Sequence, residues 1–247
     1  PMMSRLREYA LYLMVCMCPV MAHAQWAMKA EAGLVAARGN SDTDTANLKL
    51  EIKRDFVRWK HRLELGGVYA SDSTGTITQR WGVREQTDYD FRDRGFWFVS
   101  GRYEEDRFSG FEYQASYGTG LGWRFFDDPV TQLSAQIGAG YKALRSRDSL
   151  SADGITLIPG RREANAIAQG SIDFEHQLTE TTKVLNKFLV ESGGHNTFVQ
   201  NELSLQVKIL SSLALAIGYT VRYNTDPPEE FTTTDTLTTL NLVYEIG

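Results

Sequence analysis

The chain has few of the residues that build disulfides and metal sites. Among its 247 residues there are two cysteines, Cys16 and Cys18, and four histidines, none close to another in sequence. From residue 25 onward there is no cysteine, which excludes disulfides, thiolate catalysis and cysteine metal sites there. The spacing of the histidines gives no support to a histidine zinc site. We therefore expect no cofactor and no metal.

Long hydrophobic runs are also scarce. The main apolar run, residues 10–20, is too short to cross a bilayer as a helix, and the mean hydropathy is −0.32. These values exclude an ordinary multi-helix membrane protein, although a transmembrane barrel can have them, because each of its strands averages a lipid face with a polar face. The net charge of −5 argues against nucleic acid as a partner.

The first residues have the features of a secretory leader. Arg5 and Arg7 precede the apolar run, and Ala22-His23-Ala24 has the small-x-small form of a signal-peptidase site. The sequence thus predicts a cleaved Sec signal peptide over residues 1–24 and one β-barrel domain over residues 25–247.

The stretch 113–125 has the clearest pattern in the chain. Every second residue from Tyr113 to Phe125 is apolar, aromatic or Thr119, and the residues between them are polar or glycine, including Gly118, Gly120 and Gly122. Side chains alternate across a strand, so this period of two predicts a β-strand. At about 3.3 Å per residue such a strand is long enough to cross a bilayer when tilted.

The same alternation recurs along the chain and predicts an all-β fold, a transmembrane antiparallel up-and-down β-barrel of about twelve strands. An even number of strands is typical of bacterial outer-membrane barrels. The expected strands are 26–37, 45–53, 62–70, 80–91, 96–105, 113–125, 131–144, 163–174, 182–191, 198–209, 213–223 and 236–246.

The connections differ in length in the way that such barrels require. With both termini in the periplasm, the long or polar connections 71–78, 145–162 and 224–235 would all be external. The tight turns at 93–95, 127–129 and 210–212 would all be periplasmic. Short periplasmic turns and longer external loops are the expected asymmetry.

Aromatic residues gather at the predicted periplasmic strand ends. Amphipathic rings favour the membrane–water interface, so we expect a membrane girdle there. Its members are Trp26, Tyr89, Phe91, Trp97, Trp123, Phe125 and Tyr244, with Phe96 beside them.

Charges of both signs lie on the polar face of the first five strands. Buried charges need partners, so a mixed-charge lumen of this size is expected to be narrow or plugged, and the cluster to serve structure or permeation. Its members are Lys29, Glu31, Lys49, Glu51, Arg62, Glu64, Arg80, Arg84, Asp88, Arg102 and Glu104.

Candidates for catalysis are few. His195, in an expected external loop, is the best of them, whereas His61 and His176 fall in expected periplasmic turns. Acidic residues near the expected outer rim are better suited to bind cations or loops than to catalyse, and they are Asp42, Asp44, Asp72 and Asp106. We expect no catalytic, cofactor-binding or metal-binding residue.

Four short motifs in order resemble those of the salt-induced outer-membrane protein family (YdiY-like). They are Gly39-Asn40-Ser41-Asp42, residues 103–108 (YEEDRF), residues 118–122 (GTGLG) and Gly138-Ala139-Gly140-Tyr141. The resemblance covers about residues 26–246. It implies an outer-membrane barrel of uncharacterised activity and supplies no catalytic residue. Ile246 stands where such barrels usually end on an aromatic residue.

The sequence predicts an integral protein of the bacterial outer membrane with a structural or narrow-channel role, linked through the resemblance to salt or osmotic stress. Two alternatives stay open: an outer-membrane hydrolase acting on lipid or peptide, and a surface-exposed adhesive β domain. The expected partners are outer-membrane lipid, lipopolysaccharide and the barrel-insertion machinery. The oligomeric state is left open.

Overall fold

The computed structural model describes residues 25–37, 43–72, 75–106, 111–150, 157–194, 196–227 and 232–247. Every regular element in these ranges is a β-strand. None of these residues forms a helix long and apolar enough to span a membrane. The expected leader 1–24 and the candidate residues Asp42 and His195 lie outside the described residues.

Twelve long strands form the body of the fold, close to the positions that the alternating pattern predicts. They are β1 (Gln25–Ala37), β2 (Thr43–Asp55), β3 (Trp59–Asp72), β4 (Gly75–Asp90), β5 (Gly95–Asp106), β6 (Phe111–Asp127), β7 (Thr131–Ser146), β8 (Arg162–Gln177), β9 (Thr182–Gly193), β10 (Asn196–Lys208), β11 (Leu213–Asn224) and β12 (Thr234–Ile246). In the connection between β7 and β8, Ser149–Leu150 pairs with Leu157–Ile158 as a separate two-stranded sheet.

Each strand pairs antiparallel with the next, and β1 pairs with β12, so the sheet closes into a barrel. The closing seam runs from the pair Met28 and Ile246 to the pair Ala32 and Leu242. Closure leaves no edge strand, and it satisfies the backbone polar groups within the sheet. The prediction of an antiparallel twelve-stranded barrel is confirmed. We call the end with the start of β1 and the end of β12 the inner end, and the opposite end the outer end.

The outside of the barrel is covered by large apolar side chains, which we call the apolar belt. Its exposed members include Leu34, Leu48, Leu65, Val99, Leu121, Ile137, Ile172, Leu203, Leu215, Ile217, Leu240 and Leu242. An apolar surface this continuous is typical of a barrel whose outer face meets lipid. The fold is therefore that of a transmembrane β-barrel.

Three expectations about connections and turns are wrong. The polar stretch 71–78 is not a loop, because β3 runs to Asp72 and β4 begins at Gly75. Gly75 has a φ of 138°, which favours glycine, and its N–H donates to Asp72 Oδ1 over 3.1 Å. His61 and His176 lie within β3 and β8, not in turns. The polar composition of 71–78 is typical of a loop, but interstrand pairing includes residues 71, 72, 75, 76 and 78.

The predicted girdle residues lie on the lipid-facing surface of the barrel, close to its inner end. Six of them are between 40% and 55% exposed, and Tyr89 is half-buried against Trp59, with ring centroids 4.8 Å apart. The expectation that Phe96 lies beside the girdle is wrong, because its side chain points into the lumen and is only 2% exposed. Its position alternates with the outward Trp97, so the pattern itself placed it inside.

The inward glycines of β6 and β7 make room for large lumen side chains. A Cβ on Gly122 would lie 2.1 Å from the Phe96 ring, and one on Gly138 would lie 3.0 Å from the ring of Phe98. A Cβ on Gly118 would meet the amide of Gln169 at 2.4 Å. Glycine is found in strands where another group approaches the backbone closely. These glycines therefore leave space at the lumen wall for the side chains of Phe96, Phe98 and Gln169.

The turn between β6 and β7 is held by one carboxylate. Asp128 Oδ1 accepts hydrogen bonds from the N–H groups of Val130 at 2.9 Å and Thr131 at 2.8 Å. These bonds hold the pKa of Asp128 below its ordinary value of 3.8. Because the pKa of Asp128 is lowered, its carboxylate stabilises the turn fully at pH values above 3.8. This stabilisation is lost as the pH falls through the lowered pKa.

We expect Gly122→Ala to destabilise the barrel by roughly 1–3 kcal/mol, because the Phe96 ring must move to admit the methyl group. Gly66→Ala is the matched control, since it also faces the lumen but has no atom closer than 3.9 Å to the added Cβ. Urea unfolding followed by cold and boiled SDS electrophoresis measures both. Equal midpoints for the two variants would contradict the packing of Phe96 against Gly122.

Candidate functional site in the lumen

A cavity of about 800 Å³ occupies the inner and middle parts of the barrel. At the inner end it is lined by residues such as Lys29, Asp55 and Glu245. Its far limit is a layer that contains Arg80, Arg102 and Arg222. The alternating strands place polar side chains on this inner surface, so the cavity is lined by charged and amide groups.

Ion pairs cross the middle of the lumen. Lys187 Nζ lies 2.8 Å from Glu51 Oε2 and 2.5 Å from Glu64 Oε1. Two further ion pairs also cross the lumen: Lys49 with Glu202 at 2.6 Å and Arg62 with Asp173 at 2.8 Å. Each pair joins a strand of the first half of the chain to one of the second half. The pairs therefore brace opposite walls and narrow the space between them.

Further pairs line the inner mouth. Arg124 contacts Asp90 at 2.7 Å and Asp88 at 3.4 Å. Lys29 lies 3.0 Å from Glu31 Oε1. Lys29 and Glu31 are partly exposed to the cavity, so their pairing is weaker than that of groups removed from water, whereas Arg124 is buried.

The outer part of the lumen is filled by side chains around one phenyl ring. Phe198 has no exposed surface, and three cations lie over or beside its ring: Arg102 at 4.6 Å, Lys142 at 5.0 Å and Arg222 at 5.2 Å from the centroid. Cations within about 6 Å of an aromatic centroid are attracted to its π face. We call Phe198, these three cations and Glu191 the outer plug.

Glu191 pairs with two of the three cations of the outer plug, Arg102 and Lys142. It is 2% exposed, and its carboxylate lies 2.6 Å from Arg102 Nη2 and 3.4 Å from Lys142 Nζ. Ser116 Oγ donates to it over 2.6 Å. A buried charge is tolerated only when it is paired and hydrogen-bonded, and Glu191 meets that condition.

A second set of pairs closes the same layer. Arg222 forms a very short ion pair with Glu104 and lies 3.5 Å from Asp106, which also contacts Arg80 at 3.6 Å. All four side chains are buried or nearly so. Together with the outer plug, they occupy the lumen between the cavity and the outer end.

Arg84 is different from the other lumen cations. It lines the large cavity and an adjoining pocket of about 50 Å³. Among the residues that the structure describes, no carboxylate or other acceptor lies within ion-pair or hydrogen-bond distance of its guanidinium. Its charge still acts on Glu64, Asp173 and Glu202 across the lumen, so it is partly balanced. A guanidinium that faces a polar cavity with unused hydrogen-bond donors can bind an anion from solution.

The eleven charged residues expected in the lumen lie on its wall, and ten of them, all but Arg84, form ion pairs. Their partners on later strands were missed, because the expected cluster was confined to the first five strands. Those partners include Asp173, Lys187, Glu191, Glu202 and Arg222. The period of two on β8 to β11 could have identified them, whereas the contact of Phe198 with three cations has no signal in the sequence.

Among the candidates that lie in the described ranges, the structure brings together no catalytic group. Asp72 holds the turn at Gly75, and Asp106 is an ion-pair member in the lumen. Asp44 lies near the outer end of β2. In the described ranges, no group of three or more His, Cys, Asp or Glu residues could hold a metal ion.

Comparison with known proteins gives one family. The family model described as "Protein of unknown function, DUF481" matches residues 30–246. The uncharacterized protein YdiY of Escherichia coli (strain K12) is 25% identical over 221 residues, which cover 87% of this chain and 81% of that protein. The match extends through the strands that supply the lumen residues.

Solved structures with a similar backbone path share little sequence with this chain. The translocator domain of the autotransporter NalP from Neisseria meningitidis has a TM-score of 0.49 and 12% identity, covering 98% of this chain and 94% of that one. An outer-membrane channel from Pseudomonas putida F1 has a TM-score of 0.48 and 8% identity, covering 93% and 97%. The NanC porin has a TM-score of 0.47 and 10% identity, covering 90% and 98%.

We expect Glu191→Gln to destabilise the barrel by roughly 3–5 kcal/mol, because Lys142 would lose its ion-pair partner and buried Arg102 would keep only Glu104, 3.8 Å away. Glu175→Gln is the control, since Glu175 pairs with Lys183 at 3.2 Å in a more exposed place, where the loss should be below about 1 kcal/mol. Unfolding in urea measures both. A loss for Glu191→Gln no larger than that of the control would contradict the buried pairing.

Proposed function

Because the chain belongs to the DUF481 family of proteins of unknown function and folds as a twelve-stranded transmembrane barrel, we propose that it is an outer-membrane protein with a narrow, gated passage. The inner end faces the periplasm, and the outer plug is the gate. In this proposal the protein is neither a wide pore nor an enzyme.

The observation that carries the proposal is the arrangement of cavity and plug along one axis. A polar cavity of about 800 Å³ ends at the layer of Arg80, Arg102 and Arg222, and two of these cations, Arg102 and Arg222, belong to the outer plug. A purely structural barrel has no need of a large hydrated cavity, and an open pore has no need of a plug. A closed passage accounts for both.

The surroundings follow from the apolar belt. Lipid covers it, with lipopolysaccharide as the expected partner at the outer end. Sec export and the barrel-insertion machinery would deliver the chain there.

Ionic strength would act first on the ion pairs that narrow the passage below the gate. Screening weakens ion pairs that water can reach, and the Debye length falls to about 3 Å at 1 M salt. Lys49 and Glu202 are partly exposed, with side-chain exposures of 32% and 23%, so the bracing pairs would loosen before the buried plug. This gives a physical route to the salt link that the family resemblance implies.

Truncating the gate should raise conductance. In planar bilayers we expect small, rare steps from the wild type and steps several times larger from Phe198→Ala, because the ring that gathers three cations is removed. Phe188→Ala removes an equal ring from the outer face of β9 and serves as control. Equal steps from all three proteins, or no conductance from any, would contradict the gated passage.

Arg84 should set ion preference. We expect Arg84→Gln to shift the reversal potential in a salt gradient toward cation preference, because it removes a lumen cation that forms no close ion pair. Arg94→Gln, in the exposed turn between β4 and β5, removes the same charge outside the lumen and should change nothing. These measurements are made in the Phe198→Ala background, where currents are larger. An unchanged reversal potential would exclude Arg84 from the conducting path.

A further inference from the structure

A carboxylate lies on the lipid-facing side of the barrel. Arg84 and Gln86 line the lumen, so Glu85 between them points outward, and it is exposed. Along β4 it lies midway between Trp81 and Tyr89, and its cross-strand neighbours are Leu63 on β3 and Gly101 on β5. Ionisable groups at membrane depth are costly and usually mark a function.

Glu85 is held by neighbours but keeps an oxygen free. Thr87 Oγ1 donates to Glu85 Oε1 over 2.7 Å, and Thr87 Oγ1 is in turn 2.8 Å from His61 Nδ1. All three side chains lie on the outer face of β3 and β4. In the part of the chain that the structure describes, Glu85 Oε2 has no hydrogen-bond partner. The carboxylate is thus oriented and still able to accept a bond from outside.

A second polar patch interrupts the apolar belt on β9 and β10. Asn186 Nδ2 donates to Asn201 Oδ1 over 3.1 Å, and both side chains face outward because Lys187 and Glu202 line the lumen. Val199 and Leu203 flank Asn201 along its strand. No described residue accepts a hydrogen bond from Asn201 Nδ2. This patch therefore offers a donor where the first offers an acceptor.

The two patches lie on opposite walls. β4 and β10 are six strand steps apart in either direction around the closed barrel. Both patches lie in the middle of their strands, away from the aromatic ends. A barrel that carries an acceptor on one wall and a donor on the other is complementary to a second copy of itself.

We propose that copies of this chain associate side by side in the membrane, with Asn201 of one copy donating to Glu85 of the next. Gly101 supports close approach, because a Cβ at that outward position would meet nothing within 4 Å. Small residues and interchain hydrogen bonds are the features that drive association within lipid.

Lipid fits these two patches less well than a second copy of the chain. Acyl chains at mid-membrane depth have no donor for Glu85 and no acceptor for Asn201. Headgroups carry both, but they lie at the level of the aromatic residues. Because the two faces differ and lie on opposite walls, the contact is heterologous and repeats in one direction, which produces rows and not closed dimers.

Paired cysteines test the proposal in the full-length protein in outer membranes. The chain has no cysteine beyond position 18, so Gly101→Cys and Leu203→Cys are each the single thiol of the barrel. Co-expression of the two variants should give an oxidised dimer on gels, and neither variant alone should. Gly101→Cys with Ile137→Cys is the control, because Ile137 lies on β7, three strands from either patch, and is 73% exposed.

Removing either polar group should reduce the mixed dimer roughly tenfold. Glu85→Leu in the Gly101→Cys chain and Asn201→Leu in the Leu203→Cys chain make these tests, and each should leave the folded band on cold gels intact. A dimer from Gly101→Cys alone would mean a two-fold contact and would overturn the proposal. So would the absence of any dimer, which would assign the patches to lipid or another protein. Conductance is a separate readout, since the lumen takes no part in the contact.

Discussion

Pairing between the first and last strands is the interaction on which the structure depends. Without it, one edge of β1 and one of β12 would present unpaired backbone groups to lipid, each at a cost of several kcal/mol. The seam is also supported from inside, where Asn47 Nδ2 donates to Asn241 Oδ1 over 2.8 Å. That bond passes over Gly33, whose Cβ would lie 2.3 Å from the Asn241 oxygen. Closure thus requires an inward glycine as well as two strands.

Once the sheet is closed, the interior of the barrel must hold the polar side chains that every strand directs inward. The barrel does this in two ways. In the inner and middle parts, charges line a cavity and stay partly hydrated. In the outer part, Glu191 and its cations are removed from water and surround Phe198. The first arrangement tolerates change because water can replace a lost partner, whereas the second depends on every member being present.

Much of the fold could be predicted from the sequence, because a period of two is a local signal that each strand repeats. The strand count, the antiparallel order and the outward position of residues such as Trp97 all follow from it. Loop 71–78 was mistaken because Ser, Thr and Asp serve strand ends and turns equally well. Phe96 was mistaken because an aromatic residue near a strand end was weighed above its position in the alternation. Glu85 is a different case, since it breaks the pattern and no rule of patterning explains it.

The lumen contacts could be anticipated only as a set of unpaired charges. Period and spacing place Lys49 and Arg62 on the inner wall, but which carboxylate each meets depends on barrel diameter and on the stagger of strands across the lumen. Those quantities arise from all twelve strands together. The same holds for the cluster at Phe198, where residues from β5, β7, β10 and β11 meet at one ring.

The ion pairs that cross the lumen have a consequence for the order of assembly. Lys49 and Glu202 are 153 positions apart in sequence, and Arg62 and Asp173 are 111 apart. Contacts of such long range form late in folding, because the intervening chain must be in place first. Hairpins can enter the bilayer with their charged side chains still hydrated. The ion pairs across the lumen then form only when β1 pairs with β12. Ion pairing across the lumen should thus contribute more to the lifetime of the finished barrel than to its rate of insertion.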